Sequence, residues 1–245
     1  IRYRALPEGH SEDKFRALAD LSLTDDGWQD AETSLRGPFL PERGLGWGAY
    51  PALLDMFDWS TPGVKTHRTW VIAPDAGSLR DRWDRLRSTR DAKSKDDLFH
   101  PDRDRTLDRT VKVPLGNHLL RSTSVGSDKE PVVPPVRFGF RSFDRQWIIP
   151  DHRLLSQARP DLWAMDGNTQ VYLTALDDFA PENGPSLSIT GHIPDQHHYH
   201  GRGGRVLPLW RDAAASVTNV KAALLSHLTT TYGKPVTAPD VMAYV

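Results

Sequence analysis

Four histidines fall within nine residues: His192, His197, His198 and His200. Imidazole is a ligand for zinc and copper, so such a cluster raises the question of a metal site. The spacing lacks the i, i+4 repeat that sets two ligands on one helix face, and Asp195 is the only carboxylate close by. A histidine-bearing surface loop is the better expectation, with no metal bound. Together with Tyr199, Arg202 and Arg205, the loop offers donors suited to phosphates or base edges.

Other letter patterns suggest chemistry and then withdraw it. Pro74-Asp75 followed by Asp91-Ala92-Lys93 spells a magnesium-dependent nuclease, in which two carboxylates share a metal on adjacent strands. Here Lys93 falls at the end of a charged helix, where the carboxylates would be solvated and misplaced. Gly201-Arg202-Gly203-Gly204 precedes the strand-like Val206-Leu207 instead of opening a helix, so it is a poor dinucleotide loop and a better turn or phosphate approach. The chain has no Gly-x-x-x-x-Gly-Lys-Ser/Thr loop and no Asn/Asp-Pro-Pro-aromatic motif for gripping a flipped adenine. No catalytic residue and no cofactor are expected in this chain.

From Arg137 to Trp147, arginines interleave with aromatics. On a regular strand alternate residues take opposite faces, so Arg137, Gly139 and Arg141 would share one face and Phe138 and Phe140 the other. One face would be core and the other could meet a duplex. Asp144 could equally pair Arg141 or Arg145 to fix a turn.

These residues need elements to hold them. Ser11 to Leu23 has helical spacing, with Ser11 as N-cap. Gly27 to Gly48 reads as an irregular connector. Thr69 to Ala73 is a short strand leading into a helix from Ser78 to about Arg90, capped by Ser78 with Leu79, Trp83 and Leu86 on one face. The charged run from Ser94 to Thr110 suggests a loop or a nucleic-acid-facing arm, and Ser122 to Pro135 a linker. Beyond it come short strands at Val136 to Phe140, Gln146 to Ile149, Gln170 to Leu173, Ser186 to Ile189 and Arg205 to Leu209. A helix from Asn219 to Tyr232, stopped by Gly233, and a second after Pro239 close the chain.

The charge balance is awkward for a nucleic-acid partner. Net charge is -1, although residues 80–121 hold twelve Lys plus Arg against eight Asp. There is no cysteine, and neither a signal peptide nor an 18-residue apolar run appears, which suits a cytoplasmic protein not bound to membranes. The chain opens at Ile1 and reads as a piece of something longer.

Phe140-Arg141-Ser142-Phe143-Asp144-Arg145-Gln146-Trp147 resembles the aromatic-Arg-Pro-Phe-Asp-x-Arg-Trp signature of the C-terminal specificity domain of type ISP restriction-modification enzymes, with Ser142 where proline is frequent. Arg159-Pro160-Asp161-Leu162-Trp163, Arg205 to Trp210, Asn219 to Leu225, Asp240 to Val245 and, upstream, Gly63-Val64-Lys65-Thr66-His67-Arg68 are similar to other segments of that family. The resemblance implies sequence-specific recognition of double-stranded DNA. It also implies a parent polypeptide whose upstream adenine-N6 methyltransferase, translocase and nuclease parts use S-adenosylmethionine, ATP and magnesium.

The expected fold is α+β: a helical and irregular N-terminal part, residues 1–60, then a recognition domain, residues 61–245. Within the latter, a twisted, mostly antiparallel β core over about 135–210 is closed by helices over 219–245. The DNA-contact candidates are Arg137, Arg141, Arg145, Arg202 and Arg205, with Lys65, Arg68 and His200 as further ones. The alternative is a scaffold module that packs on a methyltransferase core and never reads bases.

Overall fold

The computed structural model describes residues 2–30, 50–103, 105–176, 186–199 and 203–244. The chain divides into two units, Ile1–Ala52 and Leu53–Val245. In the first, β1 (Arg2–Tyr3) pairs antiparallel with β2 (Gln29–Asp30), and α1 (Ser11–Ala19) lies between them in sequence. The N-cap of α1 is His10, one residue before the expected Ser11, and the Asp13 carboxylate accepts from the His10 backbone N–H. Most of the connector expected from Gly27 to Gly48 lies outside the described residues.

The second unit is built around two antiparallel sheets. One has strand order β3-β9-β7-β8: β3 (Thr61–Pro62), β9 (Arg205–Pro208), β7 (Tyr172–Ala175) and β8 (Leu187–Thr190). The other has order β4-β6-β5: β4 (Ile72–Ala73), β6 (Asp144–Ile148) and β5 (Val136–Arg141). Side-chain alternation explains how the four-stranded sheet serves two cores. On β7 and β9, Tyr172 and Val206 enter a core with Phe138, Ile148, Leu154, Leu162, Trp163 and the α2 side chains Leu79, Trp83 and Leu86. Here α2 spans Ala76–Ser88, and Leu162 and Trp163 lie on α4 (Pro160–Ala164). The next residue of each strand, Leu173 and Leu207, enters a second core with Phe57, Val220, Val241 and Met242. That core is covered by α5 (Ala222–Tyr232), ended by Gly233 at φ 64°, and by α6 (Ala238–Tyr244).

Two segments join the sheets. Val64, just past β3, pairs in parallel with Asp195, and Gly139 of β5 pairs in parallel with Pro194. The peptides Val64 N–H to Pro194 O, Gly139 N–H to Ile193 O and Asp195 N–H to Gly139 O close at 2.9 to 3.0 Å. The Ile193–Asp195 segment therefore carries the hydrogen bonding from β5 to Val64.

Several stretches that read as loops are packed. Within the charged run, α3 (Ala92–Phe99) buries Phe99, and Arg105 is buried with its guanidinium on the Ser156 carbonyl. Much of the expected linker is interior too: Val125 and Val133 join the first core, and Asp128 sits between Arg121 and Arg153. Arg153 has no exposure and also pairs with Asp151. The nuclease-like letters have a local explanation. Asp75 and Asp91 are the N-caps of α2 and α3, accepting from the backbone N–H of Ser78 and Ser94, so Asp75, not Ser78, caps the first helix.

Candidate nucleic-acid interface

β5 and β6 form a hairpin in which Arg137 faces Trp147, Phe138 faces Gln146 and Gly139 faces Arg145. Beyond Gly139 the register shifts, so that Arg141, not Phe140, pairs with Asp144. A bulge of this kind puts two residues of one strand opposite one of the other. The consequence corrects the expectation of a shared arginine face. Arg137, Gly139 and Arg145 stay on one side with Trp147, while Arg141 moves to the other side beside Phe140. The contacts agree: the Arg137 guanidinium lies 4.6 Å from the Trp147 ring centroid and that of Arg141 lies 3.9 Å from Phe140.

Arg141 thereby reaches a cavity of about 320 Å³ lined by Lys65, Thr66, His67, Arg68, Thr69, Phe140, Asp195 and His197. Three of the sequence candidates, Lys65, Arg68 and Arg141, meet there from segments far apart in the chain. Arg141 donates to the buried carboxylate of Asp195 at 2.9 Å, and Asp195 also accepts from the His197 backbone N–H. Burial pushes the Asp195 carboxyl up, and these two bonds hold it back.

Arg68 is partly a structural residue. It donates to the carbonyls of Phe99 and His100 at 2.7 and 3.2 Å, and its guanidinium lies 4.0 Å from the Phe99 centroid. Its Nε and Nη2 are buried with no acceptor among the described residues, and desolvation lowers its pKa to about 10. The preceding His67 adopts φ 65° and sits 3.0 Å from Asp102 through Nδ1. Lys65 is tied to Gln157 only through backbone bonds, and its ammonium has no hydrogen-bond or ion-pair partner among the described residues.

Arg137 lines a different cleft of about 430 Å³, with Asn117, His118, Asp166, Asn168 and His192 among its walls. Burial lowers the pKa of His192, and the nearby charges of Arg145 and Arg137 add to the effect. Arg205 lies on β9 opposite Ala175 and Pro62, close enough to Arg159 to depress that residue's pKa after burial. Arg202 and His200 lie outside the described residues.

The histidine cluster is dispersed. His198 is buried with Nδ1 2.8 Å from the Gly139 carbonyl, and burial lowers its pKa. Among the described residues no group of three His, Cys, Asp or Glu is placed to hold a metal. Sequence reasoning did not single out Asp195 as the anchor of Arg141, nor His67 and His197 as cavity walls. The available signal was the adjacency of Asp195 to the histidines and of His67 to Lys65 and Arg68.

A family model described as the Type ISP C-terminal specificity domain matches residues 55–245. The chain belongs to that family. Two solved structures share the fold of this specificity domain. One is a DrdV-DNA complex, at 14% identity and a TM-score of 0.52, covering 94% of this chain and 24% of that one. The other is the ATP-dependent Type ISP restriction-modification enzyme LlaBIII bound to DNA, at 13% identity and a TM-score of 0.53, covering 88% of this chain and 15% of that one. The chain thus spans a quarter or less of the length of these relatives. No curated protein matches the specificity domain. No helix among its described residues is long and apolar enough to cross a membrane.

Proposed function

We propose that this specificity domain reads the DNA target of a Type ISP restriction-modification enzyme and that the β5–β6 hairpin is the element that enters the groove. The observation that carries the reading is the cavity where Lys65, Arg68 and Arg141 converge, with an ammonium that has no partner and a guanidinium short of two acceptors among the described residues. A phosphate supplies both the charge and the acceptors that such a site lacks.

The bulge serves the same purpose. It places Arg141 on one side of the hairpin and Arg137 and Arg145 on the other, so a hairpin entering a groove presents cations toward both backbone walls. A two-stranded ribbon fits the major groove. The cleft around Arg137, with Asn117 and Asn168, holds the guanidinium and amide groups that pair with guanine and adenine edges. Arg205, Arg202 and His200 are assigned to the same interface as further contacts.

In this reading the domain carries no catalytic residue. Methylation, translocation and cleavage, with their S-adenosylmethionine, ATP and magnesium, belong to upstream parts of the same polypeptide, and the methyltransferase is the second jaw on the duplex. The family to which the chain belongs and the fold it shares with two proteins solved in complex with DNA support the assignment.

The test is selection of bound sequences from a random duplex pool, by the full-length enzyme and by the same enzyme with residues 53–245 exchanged for those of a relative. The enriched sequence is expected to follow the exchanged region. An unchanged sequence would put the reader elsewhere and leave this domain a scaffold.

A further inference from the structure

The hairpin ends in a two-residue turn, Ser142-Phe143, between the paired residues Arg141 and Asp144. Phe143 is wholly exposed, at 103% of the reference area, more than any other large hydrophobic residue described. A fully exposed phenylalanine ring on a tip is apolar area that a partner can cover.

The tip is firmly mounted. Arg141 is held by Asp195, the Ser142 hydroxyl donates to the His198 carbonyl at 3.2 Å, and Asp144 accepts from the Gln146 amide. His198 is in turn anchored to the Gly139 carbonyl. A ring on such a mount loses little freedom when it is covered, which favours binding.

The surroundings indicate the partner. Arg141 and Arg145 lie two residues to either side of Phe143 in the chain, with Asp144 between Phe143 and Arg145. A recess of about 510 Å³ beside it is lined by Arg141, Ser142, Asp144, Leu187, Ser188 and Tyr199, so hydroxyl-bearing residues and a guanidinium border the aromatic. Arg141 also lines the cavity of Lys65 and Arg68, so the apolar tip and the phosphate site adjoin. An apolar ring beside the Arg141 guanidinium, with the cavity of Lys65 and Arg68 adjoining, fits a stacked base flanked by phosphates.

We propose that Phe143 is a wedge: it inserts between two base pairs of the target and unstacks that step while Arg141 and Lys65 hold the neighbouring phosphates. This deepens the proposed DNA-reading role and rests on it. It also gives the domain a source of specificity without hydrogen bonds, because pyrimidine-purine steps unstack more easily than others.

The experiment uses the full-length enzyme, its Phe143→Ala and Phe143→Leu variants, and duplexes carrying the selected target. 2-Aminopurine is stepped through the site to report unstacking by its fluorescence, and a single mismatch is stepped through the same positions. Because Phe143 is fully exposed, both variants are expected to melt at the wild-type temperature. The wild type should brighten 2-aminopurine at one step. Phe143→Ala should lose that signal and bind the intact duplex about tenfold more weakly, and a mismatch at that step should restore its affinity, since the unstacking is already done. Phe143→Leu should keep most of both. If no step brightens with the wild type, or if Phe143→Ala and wild type show the same ratio of mismatched to intact binding, the wedge is overturned and the DNA-reading role stands. If the wild type binds no duplex, that role falls and the wedge with it.

Discussion

At the scale of single residues, the site depends on a close approach that no side chain could allow. Gly63 precedes Val64 where the chain leaves β3 and pairs with Asp195. A Cβ at Gly63 would lie 2.6 Å from both the carbonyl carbon and the oxygen of Asp195. Those atoms belong to backbone fixed by the bonds between Val64 and Pro194 and between Gln196 and Val64, so they cannot move aside cheaply. Gly63→Ala is expected to cost about 2 to 3 kcal/mol of stability, and to weaken DNA binding further by displacing Asp195 from Arg141. Urea denaturation of the variant, paired with its duplex affinity, checks both effects. An unchanged midpoint would mean that this junction is looser than its geometry indicates. Glycine at the head of Gly63-Val64-Lys65-Thr66-His67-Arg68 is thus explained by packing, and Lys65, two residues on, inherits its position from it.

At the scale of elements, Asn219 ties together the chain ends that frame the second core. Its side chain donates to the carbonyls of Trp59 and Pro208 and accepts from the Trp59 N–H, each at 2.8 to 2.9 Å, with no exposure. The approach to β3, the exit of β9 and the approach to α5 meet on one amide. Asn219→Ala removes the partner of three backbone groups, one buried at Pro208 and two part-buried at Trp59, and is expected to lose about 2 kcal/mol, whereas Asn219→Asp keeps the acceptor and loses the donors. Thermal melting of the two variants measures the difference. Elements of this region were legible where pattern and pairing coincide: the strands of the hairpin from their alternation, and α5 from Gly233 at its end. The role of Asn219 was hidden, because its partners lie up to 160 residues away. The bulge at Phe140 was equally hidden, since it is a property of pairing register that one strand does not carry. Residues 122–135 read as a linker from their polar letters, yet Asp128 is buried between Arg121 and Arg153, a contact that composition cannot express.

At the scale of the whole molecule, the proposed DNA-reading role falls to a chain with net charge -1. The basic surplus of residues 80–121 gives less help than its count implies, because the fold uses half of its twelve cations. Arg82 donates to the carbonyls of Thr69, Trp70 and Ile72, Arg87 to that of Lys129, and Lys95 to that of Gly126. Arg105 and Arg109 hold Ser156 and Leu155 in the same way, and Arg121 is paired with Asp128. In the proposed reading Lys65 is a phosphate contact, since its ammonium has no partner among the described residues. Each neutralised phosphate contributes about -0.9 to the slope of log affinity against log salt. Lys65→Ala is therefore expected to make that slope shallower by about 0.9 while leaving the melting temperature unchanged. Arg82→Ala is expected to do the reverse, lowering the melting temperature with the slope intact, because it frees three carbonyls and touches no phosphate. Salt titrations of duplex binding by the full-length enzyme and the two variants separate the roles. A slope that responds to Arg82 and not to Lys65 would mean that the basic surplus of residues 80–121 faces the duplex, and that the interface lies along α2, not along the hairpin.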